Sequence, residues 1–338
     1  MRSICLHMLR TFRLEWEATT CVYSHRLVHC VRKLEAGRRV GVEYLFEPME
    51  LARGQRWLYR WWPSTRLGID PQQDVRVDGR YAPVSIANWK LIPTVARSLL
   101  AQRVARPLTF TADQRLTVVI PYRDRERHLD RLVPVLVAKL RDQGVRYRIL
   151  IVEQQNRGLF NRGKLLNIGV HYAMDSTDYY CLHDVDAVPN RANYLCPSQP
   201  LRLVNRIEGA EGESLRSRHY FSGAVSIRKH QMIAANGFSN EYWGWGKEDD
   251  DFFFRLLMAG FLCYFDMHGD FLDLPNPGHQ RIGARTLLAH RHVKLNRKRR
   301  SRLLRGLESP AQDGLSTLQY QLVDHSNGPD YEKILVRW

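Results

Sequence analysis

The segment YWGWGKEDDDFFFRL, residues 242–256, sets two tryptophans interleaved with glycines directly before four consecutive acids and an apolar run. Tryptophan flanked by glycine puts a large flat side chain on a backbone free to swing. Four clustered carboxylates repel one another, so substrate hydroxyls, a transferred proton or a metal must offset them. A helix starting near Phe252 would need one or two acids against its dipole. Four of them beside Trp-Gly-Trp-Gly point to a sugar-binding catalytic loop.

Three further constellations carry chemistry. Asp184-Val185-Asp186 closes an apolar stretch, and on an extended backbone its two carboxylates share one side. That arrangement can hold a divalent cation against a nucleotide diphosphate, while the plain alternative is an Asx turn. His290 and His292 are at i and i+2, on one face if the chain there is extended, and two imidazoles with an aspartate suit Mn²⁺ beside phosphate oxygens. Their plain alternative is the start of the basic run Lys294–Arg305, which itself reads as a mobile loop near phosphates and acceptor. Arg123 and Arg125 in PYRDR can fork to a carboxylate, a uracil carbonyl or a phosphate. Phe160 and Arg162 in LFNRGK stand where an aromatic can cover a base; surface ion pairs are the alternative for the arginines.

These residues need elements to hold them. LTVVIPY (116–122) is β-branched, apolar and broken by proline, as a buried strand is. RERHLDRLVPVLVAKLRDQG has the period of an amphipathic helix closed by Gly144. YRILIVEQ (147–154) is the next strand, GKLLNIGVHYAMD the next helix, and DYYCLHDVD (178–186) a third strand ending in acids. The alternation predicts an α/β fold with a mostly parallel central sheet and helices on both faces. Ligands in such folds sit beyond the carboxyl ends of the strands, which is where PYRDR, EQQNRGLFNRGK and DVD fall.

Composition narrows the class less. A hydrophobic content of 44% with 25% charged residues builds an ordinary globular core, and 51 Lys+Arg against 35 Asp+Glu give a net charge of +16. Such an excess suits phosphate-bearing ligands, nucleic acid or anionic membrane surfaces without choosing among them. Six cysteines without CxxC pairs are too sparse for a disulfide scaffold. MRSICLHMLRTFRLEWEA interrupts every apolar run with charge, and no stretch approaches a transmembrane length. The expectation is a cytoplasmic protein, or a Golgi-lumenal one if an anchor is missing from this chain. The aromatic cluster WLYRWWPS (57–64) reads as a hydrophobic seam docking residues 1–75 onto the remainder, with a peripheral membrane-surface patch as the alternative.

Together the motifs resemble the β-1,4-galactosyltransferase family. IPYRDRERHL is similar to its I-P-[FY]-R-[ND]-R opening, FNRGKLLNIGV to F-N-R-A-x-L-x-N-x-G, and HDVDAVP to D-V-D-x-[IL]-P. YFSGAVS is similar to Y-F-G-G-V-S, and YWGWGKEDDD to W-G-W-G-x-E-D-D; GRYAP and DGLSTLQYQLVD also match. The resemblance covers residues 79–338, so a catalytic domain is expected over 76–338 with 1–75 as an appended region. It implies a GT-A-type nucleotide-sugar transferase fold and Mn²⁺-dependent, inverting transfer of galactose from UDP-galactose. The acceptor would be a glycan or glycoconjugate, a xyloside or an N-acetylglucosaminide, joined by a β-1,4 linkage.

The resemblance also implies roles. Asp186 and His292 would bind the metal, with His290 as the second histidine of the xylose-specific branch; Ala289 stands where other members have methionine. Pro121, Tyr122, Arg123, Arg125, Phe160, Arg162, Asp184 and Val185 would line the UDP-sugar site. Tyr220 would exclude an N-acetyl group from the donor. Asp249 would be the general base, Glu248 and Asp250 would hold sugar hydroxyls beside Gly246, and Trp245 would gate donor and acceptor. Ser222 replaces a family glycine. Cys196 fits a family cysteine whose partner falls near Tyr179, which leaves pairing with Cys181 open. HRHVKLNRKR and LHDVD lean to the xylose branch, EDDDFFFRL and DGLSTLQYQ to the N-acetylglucosamine branch.

Three rivals are weighed. A transferase of the same fold could use another donor or acceptor. A non-catalytic basic protein could bind a polyanion or membrane surface with steep salt dependence. A hydrolase with paired carboxylates would need no metal and diphosphate apparatus. The DVD, EDDD and HRH sets together favour the galactosyltransferase, with no specific nucleic-acid partner.

Overall fold

A computed structural model describes residues 16–23, 26–35, 38–46, 61–63, 81–83, 108–208, 214–216, 221–275, 287–304 and 307–338. The chain divides into two compact units, residues 1–79 with 85–107, and residues 80–84 with 108–338. In the first, Trp16–Tyr23 (β1), Arg26–Glu35 (β2), Arg38–Phe46 (β3) and Trp61–Pro63 (β4) form an antiparallel sheet in that order. Of the aromatic cluster 57–64, residues 57–60 and 64 lie outside the described residues.

The second unit is built on a nine-stranded sheet. Its strands in chain order are Tyr81–Pro83 (β5), Arg115–Tyr122 (β7), Arg146–Gln154 (β8), Tyr179–His183 (β9), Leu201–Arg202 (β12), Ala224–Arg228 (β15), Tyr264–Asp266 (β16), Gln321–Asn327 (β18) and Glu332–Arg337 (β19). Phe110–Thr111 (β6) pairs with Cys196–Pro197 (β11). Ala187–Arg191 (β10), Arg206–Glu208 (β13), Ser214–Arg216 (β14) and Asp270–Asp273 (β17) form a small sheet in the order β10-β17-β13-β14. The main order is β18-β19-β8-β7-β9-β15-β12-β16-β5. The centre, β19-β8-β7-β9, is parallel. Over the whole sheet four pairings are parallel and four antiparallel, so it is mixed. The strand–helix alternation visible in sequence covers only the parallel centre. From Asp186 to Asp273 the strands run two to five residues, and β15 joins β9 as an antiparallel neighbour, a pairing that needs no helical crossover.

The helices are Glu126–Asp142 (α1), Arg162–Tyr172 (α2), Lys229–Ala234 (α3), Glu248–Met258 (α4) and Leu287–Leu304 (α5). In α1 the apolar residues recur at helical spacing, and Leu129, Leu132, Val133, Leu136, Val137 and Leu140 are buried as one stripe. They share a cluster with Leu116, Val118 and Ile120 of β7. Val119, of opposite parity, faces α2, where a Cβ on Gly169 would stand 2.3 Å from its Cγ1. Side chains alternate across a strand, so α1 and α2 cover opposite faces, and Gly169 lets α2 lie close against the sheet.

Cys181, Cys196 and Cys263 are free and buried. Among the described residues, no helix is long and apolar enough to cross a membrane.

Candidate active site

Three loops leave the carboxyl ends of β7, β8 and β9 side by side. After β7, Asp124 takes a left-handed conformation (φ 53°) that turns the chain into α1, a region aspartate tolerates better than most residues. On either side of this turn, Arg123 and Arg125 act in different ways. Arg123 Nη1 donates to the carbonyls of Asn156 and Gly158, at 2.9 and 2.8 Å, and the guanidinium lies 5.4 Å from the centre of the Phe160 ring. It braces the loop after β8 and backs the ring expected to cover a base. Arg125 reaches Asp186 Oδ2 at 3.4 Å.

The loop after β8 is fixed from inside. Buried Gln154 accepts from the Asn161 amide and donates to the carbonyls of Asn156 and Leu159. Asn161 caps α2 by accepting from the Lys164 amide at 2.9 Å, a usual role for asparagine. This delivers Arg162, the first residue of α2, into the site.

The DVD motif is a turn. β9 ends at His183, and the Ala187 amide donates to the Asp184 carbonyl at 3.3 Å. The expectation of two carboxylates on one side of an extended strand is thereby corrected. The turn sends Asp184 to Arg162 and Asp186 to Arg125, while Val185 is buried. Beneath it, burial pushes the His183 imidazole down to about 4, so the ring is neutral. Its Nδ1 lies 2.9 Å from the Asp184 carbonyl, which can only accept, so Nδ1 carries the proton and Nε2 accepts from the Tyr194 hydroxyl.

Arg162 ties this turn to the acidic segment. Its Nε donates to Asp184 Oδ1 at 2.6 Å, and its Nη1 lies 3.9 Å from Glu248 Oε1. Glu248 Oε2 and Arg162 Nη1 are buried without a hydrogen-bond partner in the protein. The four acids form the first turn of α4, which begins at Glu248 rather than near Phe252 as the sequence suggests. The peptide amides of that turn favour negative charge, and Lys247, left-handed at φ 84°, precedes it. The acids divide by environment. Asp251 is buried against Arg255 and the Tyr242 hydroxyl and is structural. Asp250 Oδ2 accepts from Lys247 and from Arg300 of α5, each at 2.8 Å. Glu248 faces Arg162, and Asp249 Oδ1 accepts from the Asp250 amide at 2.8 Å, so neither is closely paired with a cation. Burial first, then its neighbour Asp249, pushes Glu248 up to about 7; burial and Asp250 likewise raise Asp249.

The Trp-Gly-Trp-Gly loop is held by its backbone. The Gly244 amide donates to the Phe160 carbonyl at 2.8 Å. Buried Asn296 of α5 donates to the carbonyls of Trp243 and Gly246, both at 3.1 Å. Gly244 and Gly246 have φ of 71° and 95°, and Trp245 is 60% exposed. The loop thus presents an indole to solvent on a backbone shaped by two left-handed glycines.

The basic run is not an extended loop but helix α5, which corrects the premise for His290 and His292. Among the described residues no group of three or more His, Cys, Asp and Glu side chains converges as a metal cage. Asp186 fits a divalent cation as a partly exposed hard oxygen donor with only a long contact to Arg125. His292 lies one helical turn before the buried Asn296. Tyr220 lies outside the described residues.

Sequence reasoning missed Asn296, Arg300, Lys247 and the His183–Tyr194 pair. Only Lys247 carried a local signal, standing three residues before Asp250. Asn296, Arg300 and the His183–Tyr194 pair act across sequence separations that no spacing reveals.

Two family models match the chain. The one described as the N-terminal region of glycosyl transferase group 7 matches residues 72–197, and the one described as the N-terminal domain of galactosyltransferase matches residues 207–270. The chain is 36% identical over 236 residues to beta-1,4-galactosyltransferase 3 of Cricetulus griseus, which is 68% of this chain and 57% of that protein. It is 38% identical over 232 residues to beta-1,4-galactosyltransferase 4 of the same organism, 67% of this chain and 64% of the relative. The chain therefore spans less than two thirds of the length of either. Among solved structures it is similar to the catalytic domain of Drosophila beta-1,4-galactosyltransferase 7 in complex with xylobiose, with TM-score 0.55 and 26% identity over 66% of this chain and 93% of that one. A mutant of the Drosophila protein in complex with manganese, UDP-Gal and xylobiose is similar with TM-score 0.56 and 25% identity, at the same coverage. The GT-A-like frame with its DVD turn, and the acidic helix start that Arg162 joins to it, agree with these matches: the chain belongs to the β-1,4-galactosyltransferase family.

Proposed function

We propose that the protein transfers galactose from UDP-galactose to a sugar hydroxyl of a glycan or glycoconjugate, with inversion and formation of a β-1,4 linkage. One observation carries this reading: Arg162 spans from the DVD turn to Glu248, and both Nη1 of the arginine and Oε2 of the glutamate are buried without a hydrogen bond to the protein. A buried guanidinium and a buried carboxylate with spare hydrogen-bonding capacity are costly unless a polar ligand meets them. A nucleotide sugar on the DVD side and an acceptor on the acidic side would do so.

The residues then divide the work. Arg123, Phe160 and Arg162 hold the nucleotide half, together with Pro121, Tyr122, Arg125, Asp184 and Val185. Asp186 and His292 would hold Mn²⁺, which when bound neutralises charge on the departing diphosphate. Asp249, raised above its ordinary value by burial and by Asp250, takes the proton of the attacking acceptor hydroxyl. Glu248 and Asp250 orient acceptor hydroxyls, and Trp245 closes over the sugars on its glycine hinges. Residues 76–338 would be the catalytic domain.

The test is UDP release from UDP-galactose with Mn²⁺, using a β-xyloside and an N-acetylglucosaminide as paired acceptors and Asp249→Asn as control. Metal-dependent turnover of one acceptor, lost in the control, supports the reading and assigns the branch. Absence of both turnover and UDP binding overturns it.

A further inference from the structure

A second cleft opens at the carboxyl ends of β8 and β19, separate from the carboxylate cluster. It encloses about 810 Å³ and is lined by Asn156, Lys164, Tyr320, Gln321, Arg337 and Trp338, with two further glutamines. This volume falls within the roughly 300–1,000 Å³ usual for ligand pockets. The lining combines aromatic faces, side-chain amides and two cations, with no Asp or Glu side chain. Its parts are held in place. The Tyr320 hydroxyl meets His171 Nδ1 at 3.1 Å, and Lys164 Nζ lies 4.8 Å from the centre of the Trp338 ring.

Two polar atoms of this lining are buried without protein partners, Trp338 Nε1 and Asn156 Oδ1. The orientation of the Asn156 amide is fixed, because its Nδ2 donates to the Trp338 carbonyl at 3.1 Å and a carbonyl can only accept. One orphan is therefore a donor only and the other an acceptor only. A sugar hydroxyl donates and accepts at once, so neighbouring hydroxyls of one pyranose satisfy both, while the amphipathic indole and phenol rings cover its apolar face. The cleft also touches the machinery already described. The Trp338 ring centre lies 6.1 Å from that of Trp243, two residues before Trp245, and the Asn156 carbonyl accepts from Arg123.

We propose that this cleft binds a sugar unit of an extended acceptor, on the reducing side of the sugar that receives the transferred residue. The proposal rests on the transferase reading above. In the test, KM is compared between a monosaccharide β-glycoside and the tetrasaccharide of the same sugar, xylotetraose or the N-acetylglucosamine tetramer. The full chain is used as wild type, as Gln321→Ala, and as Trp338→Phe, which keeps an aromatic face but replaces the indole by a smaller ring without the N–H donor. Wild type should show a KM about tenfold lower for the tetrasaccharide, the scale of one or two hydrogen bonds. Both variants should lose most of that preference with monosaccharide kinetics unchanged. Equal KM at both lengths in wild type, or full length preference in both variants, overturns the proposal. A second readout separates the two hypotheses: the indole N–H resonance of Trp338, assigned by its loss in Trp338→Phe, followed during titration with the tetrasaccharide. A shift without turnover of any acceptor sinks the transferase reading and keeps the cleft. Turnover with neither length preference nor shift does the reverse.

Discussion

Arg162 Nε and Asp184 Oδ1 stand 2.6 Å apart, joining the first residue of α2 to the turn that ends β9. The same guanidinium approaches Glu248 with Nη1, so one side chain sets the spacing between the nucleotide half and the acidic half of the site. Lysine has neither the reach nor the planar fork to serve both. Arg162→Lys should lower kcat/KM for the donor by at least tenfold. It should also lose about 3 kcal/mol of stability, since removing one partner strands a buried charge. Urea unfolding with a parallel donor titration measures both. An active, equally stable lysine variant would refute the bridging role.

The acidic helix start should show in the pH dependence of activity. Asp249→Asn is expected to cut kcat by about 10²–10⁴-fold, the usual range for loss of a general base, with donor binding retained. Because burial and neighbouring acids raise Asp249 and Glu248 together, the acidic limb of kcat/KM should lie above the ordinary carboxylate range. Glu248→Gln should move that limb to lower pH, as one neighbouring anion is gone. A limb that stays in place in Glu248→Gln would separate the two groups.

Stability carries the same signature. Glu248 titrates near 7 in the fold against an ordinary value of 4.5. Below 4.5 both folded and unfolded chains hold the proton. Between the two values the unfolded chain releases it first, so this group's contribution to stability falls as pH rises through that window. Glu248→Gln should therefore raise Tm more at pH 8 than at pH 4, read by calorimetry at matched ionic strength.

The tryptophan loop separates function from stability. Trp245 is 60% exposed, so Trp245→Ala should leave unfolding free energy within about 0.5 kcal/mol of wild type while turnover falls. Gly246 has φ 95° and open space where a Cβ would go. Gly246→Ala should thus cost only the backbone term, about 1–2 kcal/mol. Asn296→Ala strands the carbonyls of Trp243 and Gly246 and should cost about 1–3 kcal/mol, with faster amide exchange over 243–250.

Metal dependence is expected as well. Chelation should abolish turnover and added Mn²⁺ restore it. Asp186→Asn and His292→Ala should each raise the Mn²⁺ concentration for half-maximal activity, read by titrating the metal at saturating donor. An unchanged metal requirement in both variants would remove them from the ligand set.

Some of this was legible in the residues alone. The strands β7, β8 and β9 and the helices α1 and α2 follow from apolar runs and periodic stripes, because burial of one face leaves its period in the local order of residues. DVD, EDDD and WGWG marked the candidate site for a related reason: their acids and glycines are too dense to be explained by packing. Periodicity misled at the start of α4, where four acids look unlike a helix but are stabilised by the amides of its first turn. It also misled at 290–304, where dense cations obscure the few apolar residues, yet Asn296 and Leu303 anchor a helix.

What the sequence determined by itself was the parallel α/β centre, the family and the carboxylates that make up the candidate site. Only the tertiary structure decided which partner each charge took: Arg162 to Asp184 and Glu248, Arg300 to Asp250, Asn296 to the tryptophan loop. Those contacts join residues 22 to 86 positions apart. Local order records what a segment buries, whereas long-range electrostatic pairing depends on how the chain closes on itself.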